Sequence, residues 1–236
     1  MRTDYHYPDK LRRTEGRDPA MSPAGRTVTG VTGDQRDVPA SFAAALASLR
    51  ARRLRPEVRL AEIPGPSRIA PFSAALEGEV LESRGGADPD ADGAELATGR
   101  FVVLHDPAGQ ETWRGTFRVV TLVRATLEPD LAADPLLADV AWTWVTEVLD
   151  ALPHDGGPGA VAAGGTVTRV LSQSFGALEG TPEGVDLEIR ASWTPTSTDL
   201  GAHLGAWADL MVTAAGLPPL PEGVTALPTR RNTVEP

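Results

Sequence analysis

The chain contains no cysteine, which excludes disulfides, thiolate nucleophiles and cysteine-ligated metal centres together. Aromatic residues make up only 5%, and the single lysine, Lys10, leaves arginine to supply nearly all positive charge. No run of about 18 apolar residues is present that would span a bilayer. The opening stretch MRTDYHYPDKLRRTEGRD has no apolar segment suited to a signal peptide. These absences predict a cytoplasmic protein with no membrane association.

What the chain does have is enough apolar material for a core: 41% of 236 residues. Its net charge of -10 is unevenly spread. Residues 1 to 60 carry 12 Lys/Arg and 7 Asp/Glu, net +5, and the other 176 carry 10 and 25, net -15. Only the front end would attract a polyanion, through Arg50, Arg52, Arg53, Arg55 and Arg59 in RARRLRPEVR. A solvated helix end, with cations suited to the C-terminal dipole, explains that cluster better. Nucleic acid is therefore not the expected partner.

Residues 1–36 are polar, rich in Gly, Pro, Arg and Asp, and without periodicity, which predicts a disordered segment. Met21 offers a second candidate start within it. A single α+β domain is expected over 37–230, followed by a disordered tail at 231–236. DVPASFAAALASLRARRL reads as the first helix, with Phe42, Leu46 and Leu49 on one face. PFSAALEGEVLE alternates as a strand, GRFVVLHD is a short buried strand, and ETWRGTFRVVTLVRATLE alternates most clearly. In the last, Trp113, Phe117, Val119, Thr121, Val123 and Ala125 share one face.

DPLLADVAWTWVTEVLDAL is the second helix, started by Asp134 and Pro135, with an expected stripe of Leu137, Val140, Ala141, Trp144, Val148 and Leu152. Trp142 lies off that stripe and is a candidate interface residue. Two strands follow, GTVTRVLSQSFG and GVDLEIRASWTP. The third helix, STDLGAHLGAWADLMVTAAG, is capped by Thr198 or Asp199 and ended by Gly216. LPPLPEGVTALPTRR is too rich in proline for a helix, and its Leu and Val predict an extended run packed on the domain. The expected architecture is two-layered α+β, a mostly antiparallel five-stranded sheet with helices on one face, in the order α-β-β-β-α-β-β-α.

Several motif fragments fail on context. Asp88, Asp90 and Asp92 before Gly93 imitate a calcium loop, but position twelve is Gly99 and the neighbours are strands, so no metal is expected. GPGAVA at 157–162 matches a dinucleotide fingerprint, yet a helix precedes it and a strand follows. No G-x-S-x-G is present. Of four histidines, His6 falls in the N-terminal segment and His154 in a linker. His105 precedes a turn closed by Asp106, and His203 shares a helix face with Trp207. Both read as structural, and no catalytic residue or cofactor is expected.

The polar face of the later strands collects Arg114, Arg118, Arg124, Thr166, Thr168, Ser172, Ser174, Glu188, Arg190 and Ser192. An ordinary solvated face with Arg–Glu pairs would look like this. So would a recognition surface for carboxylates, since planar guanidiniums beside hydroxyls suit them. Arg114, Arg118, Arg124, Arg190 and Trp142 are the candidate binding residues.

GRFVVLHDP, WRGTF, VAWTWVTEVLDA, GGTVTRVLSQSFG, EIRASWTP and AGLPPLPEGVTALP together resemble the actinobacterial family catalogued as domain of unknown function 3000. The resemblance covers roughly 38–230 and implies a cytoplasmic actinobacterial protein, with no catalytic residue to carry over. The element order also resembles that of secretion-chaperone-like proteins, small acidic dimers that bind extended partner segments. The leading expectation is a non-enzymatic protein-binding or chaperone-like module with a protein partner, and homodimerisation accompanies it. Two alternatives are a small-molecule binder or enzyme with a pocket near His105 and His203, and a nucleic-acid accessory protein using the basic front end.

Overall fold

The computed structural model describes residues 38–82, 93–127, 134–154, 156–172, 174–176 and 184–218. The expected disordered ends, the Asp-rich loop up to Asp92 and the proline-rich run from 219 lie outside the described residues. Helix α1, Ala40–Ala51, follows Pro39 and buries Phe42, Ala45, Leu46 and Leu49, the spacing of one helical face. Then come β1 Val58–Ile63, β2 Phe72–Leu81, β3 Glu95–Gln110 and β4 Gly115–Leu127. Helix α2, Leu137–Asp150, leads to the pair β5 Ala160–Ser172 and β6 Gly184–Pro195, and α3, Leu200–Ala214, follows.

The strands form one antiparallel sheet ordered β1-β2-β3-β4-β6-β5. The α+β class and the antiparallel sheet agree with expectation, but the strand count is six. The missed strand is β1, VRLAEI, which makes the order α-β-β-β-β-α-β-β-α. Four of its six residues are exposed, so it has no alternation to reveal it. An edge strand paired on one side only escapes the period-two test.

The helix-facing side of the sheet carries Ala97, Phe101, Val103, Phe117, Val119, Val123, Leu187, Ile189, Ala191 and Trp193, all buried. Helix α3 is seated by a gap in that layer. Gly78 and Gly99 are direct cross-strand partners, and a Cβ on either would stand 2.7 Å from the Trp207 ring. The indole thus rests on bare backbone and donates to the Leu122 carbonyl at 3.3 Å. Asp199 caps the helix by accepting from the Ala202 amide, and Gly216, at φ +73, ends it in the left-handed region.

Helix α2 departs from its expected stripe. The buried line is Leu137, Ala141, Val145 and Leu149, whereas Val140 is 41% exposed. The helix packs on both α3 and β5, so the line pointing between them is buried. Asp134 caps the preceding turn, its Oδ1 accepting from the Leu136 amide at 2.8 Å. No helix among the described residues is long and apolar enough to cross a membrane.

Candidate functional site

The face of the sheet turned away from the helices is built of cross-strand rungs whose members follow from the registers. One rung runs Ala75, Val102, Val120, Ser192, Gly164; the next runs Glu77, Arg100, Leu122, Arg190, Thr166. A third places Thr98, Arg124, Glu188 and Thr168 side by side. Side chains on such rungs stand about 5 Å apart, close enough to define one surface.

Arg118 is the cross-strand partner of Leu104, and its guanidinium makes three hydrogen bonds within the protein. It donates to the Ala162 carbonyl at 2.9 Å, to Thr194 Oγ1 at 3.2 Å and to Ser192 Oγ at 2.7 Å. Ala162 sits at φ +51, where the β5–β6 register shifts. Arg118 is therefore the tie that holds this bulge to the sheet. Burial draws its pKa below the usual arginine value, and it remains a cation at any ordinary pH.

Arg124 and Arg190 both bind Glu188, through contacts of 2.7 Å to its two carboxylate oxygens. The Arg124 hydrogen bond is the main reason that the Glu188 carboxyl lies below its ordinary pKa, with Arg190 adding to it. Two cations on one carboxylate leave a positive excess. Arg100 pairs with Glu77 at 3.4 Å on an exposed stretch.

Between these charges the sheet is hollow. An open depression of about 530 Å³ is lined by Val102, Val120, Leu122, Gly164, Thr166 and Ser192, with Arg100 and Arg190 as its charged residues. On the central rung the two arginines flank Leu122 directly. Val120 is 38% exposed, so the floor is apolar and wet. No acid lines it.

Of the residues singled out in the sequence, Arg118, Arg124 and Arg190 do share this face. Arg114 does not: it lies exposed in the β3–β4 turn at φ +60. Trp142 is partly buried against the core, its ring over Gly165 of β5. Ser174 falls beyond the end of β5. Reading the sequence missed Arg100, Val102 and Val120. The doublets Val102-Val103 and Val119-Val120 carry the signal, because two adjacent valines in a strand put one on each face.

His105 and His203 are both buried and hydrogen-bonded within the protein. His105 Nδ1 lies 3.0 Å from the Thr116 carbonyl, which only accepts, so Nδ1 carries the proton and Nε2 accepts from Ser41 Oγ at 3.2 Å. Its ring stacks on Phe117 at 4.1 Å and on Phe42 at 5.6 Å. Burial lowers its pKa, against the opposing pull of the Thr116 bond and the Asp106 charge. Asp106 instead closes the expected turn, accepting from the Ala108 amide at 3.0 Å. His203 accepts from Trp193 Nε1 at 3.0 Å, and burial pushes its pKa down to about 4. Neither ring lines the outer-face hollow.

A family model described as a protein of unknown function, DUF3000, matches residues 38–225. No curated protein and no solved structure matches the chain.

Proposed function

Since the chain belongs to DUF3000, a family of proteins of unknown function, we propose from its own surface that it is a non-enzymatic protein-binding module. The hollow on the outer sheet face holds an extended, acidic segment of a partner protein. The observation that carries this reading is the rung on which Arg100 and Arg190 flank Leu122, over a floor without acids. Guanidinium forks suit carboxylates, and an apolar floor suits the alternate side chains of an extended segment.

Charge supports the same reading. A protein of net charge -10 repels an acidic segment over most of its surface, so an arginine-rimmed hollow concentrates the encounter at one place. His105 and His203 are taken up by core hydrogen bonds, which counts against the alternative that placed a pocket beside these two rings.

The test is a pull-down from the native host at low salt, using the full-length protein beside an Arg100→Glu, Arg190→Glu variant. A near-stoichiometric protein partner is expected with the wild type and is lost in the variant. A partner that the variant retains, or none captured by the wild type, would sink the reading.

A further inference from the structure

The two edges of the sheet are built differently. Among the described residues β1 pairs only with β2, and β5 only with β6. Strand β1 is six residues long and carries Arg59 and Glu62, and a short, charged edge resists pairing with another strand. Strand β5 runs for 13 residues, AVAAGGTVTRVLS, with no acid and with Arg169 as its one charge. The Arg169 guanidinium donates to the Asp134 carbonyl at 3.0 Å, just ahead of α2, so that charge is turned back onto the molecule. The bulge at Ala162 disturbs only the first residues, and 164–172 remain a regular strand at the edge of the sheet.

Apolar side chains gather at the same place. Val170 is 47% exposed, Leu171 64% and Phe175, just past the strand's end, 78%. Leu171 lies on the helix side as the cross-strand neighbour of buried Val185, and Val170 lies on the outer side opposite Asp186. An acid-free edge with these side chains, in a chain of net charge -10, lacks the devices that keep an edge strand single.

We propose that a second copy of this chain covers the edge, β5 against β5, antiparallel, about a two-fold axis perpendicular to the sheet. Such an axis keeps each face of the sheet on its own side, so odd residues meet odd and even meet even. An axis through Arg169 would set two guanidiniums opposite each other. An axis through Thr168 places Leu171 opposite Gly165, Val170 opposite Thr166 and Ser172 opposite Gly164, and sets no like charges face to face.

The pairing of Leu171 with Gly165 selects this register. A Cβ on Gly165 would stand 2.8 Å from the Trp142 ring, so glycine is what lets the indole lie against the strand. Leu171 of the second copy lands beside that partly buried ring, and the symmetry makes the contact twice. The nine residues 164–172 form an edge about 30 Å long, and sheet plus helix make it about 20 Å deep, or roughly 600 Å² from each copy. The total of roughly 1,200 Å² reaches the size of a specific interface. The pairing lies in the plane of the sheet, so it leaves the outer-face hollow open and does not depend on what binds there.

The test uses the full-length protein. Light scattering after gel filtration, at micromolar concentration, should give twice the chain mass of 24.8 kDa. The mass of a single chain would overturn the proposal and leave the edge to a strand from another protein. Leu171→Arg, at an exposed position, should keep the circular dichroism of the wild type and halve the mass. A dimer that survives this change uses another surface and contradicts the β5 pairing. With no natural cysteine in the chain, a crosslink reads the register independently. Thr168→Cys meets itself at the axis, where antiparallel partners lie about 4.5–5.5 Å apart, within disulfide range. Mild oxidation should join two chains there at least about ten-fold faster than through Ala61→Cys on the β1 edge, because the interface raises the effective concentration. Equal rates, or a faster one at Ala61, would overturn the proposal.

Discussion

The indole N–H of Trp193 donates to Nδ1 of His203 at 3.0 Å, joining the last strand to the last helix inside the core. An indole only donates, so the histidine must present a lone pair there and carry its proton on Nε2. The doubly protonated ring has no lone pair to give. Protonation therefore costs both a buried charge and this hydrogen bond, which is the physical content of the pKa of about 4.

Stability should fall in acid for this reason. The unfolded chain takes up the His203 proton near pH 6.5 and the folded one only near 4, so the contribution is full above 6.5 and is lost as the pH drops toward 4. The loss is on the order of 3 kcal/mol, and His105, also lowered, adds in the same direction. Urea unfolding at pH 7.5 and pH 5 measures the part already lost by pH 5, about 2 kcal/mol for His203. His203→Asn, which keeps an acceptor for the indole, should flatten the slope; an unchanged slope would mean that other groups carry it.

Gly99→Ala should destabilise by about 2 kcal/mol or more, since its Cβ would lie 2.6 Å from the Leu122 carbonyl and 2.7 Å from Trp207. Gly164→Ala, whose Cβ meets nothing within 4 Å, should stay within about 0.5 kcal/mol. Thermal midpoints of the two variants decide whether the bare backbone under Trp207 matters.

Two arginines of the same face should behave differently. Arg118→Met removes three donated bonds from part-buried acceptors and should cost about 2 kcal/mol. Arg100→Met breaks one exposed pair and should cost less than about 0.5 kcal/mol. Comparable urea midpoints for the two would refute Arg118 as the tie of the bulge.

Asp199→Ala should lose about 1 kcal/mol by uncapping α3. Asp199→Ser, which restores an acceptor, should recover most of it in the same melt.

Much of this was legible locally. The face of β4 from Phe117 to Ala125 was readable because a half-buried strand alternates, and the α3 cap was readable because Asp and Gly have fixed uses at helix ends. Strand β1 was not, since its burial depends on which neighbour it pairs with. The α2 stripe was read about one residue off, because two packing partners, β5 and α3, set the buried line. For the candidate site, Arg118, Arg124 and Arg190 could be placed on one face by parity alone. That Arg118 binds a carbonyl from β5 could not, as the two residues are 44 apart in the chain.

Period, capping and composition are local properties, and so the amino-acid sequence by itself determined the α+β class, the ends of α3, the lack of thiol chemistry and the acidic body. The tertiary structure alone decided which strands are neighbours, and with that which arginines face carboxylates, which one secures a bulge and which two flank an apolar floor. Side-chain roles on a sheet are set across strands, between residues far apart in the chain, and no window along the sequence contains both partners.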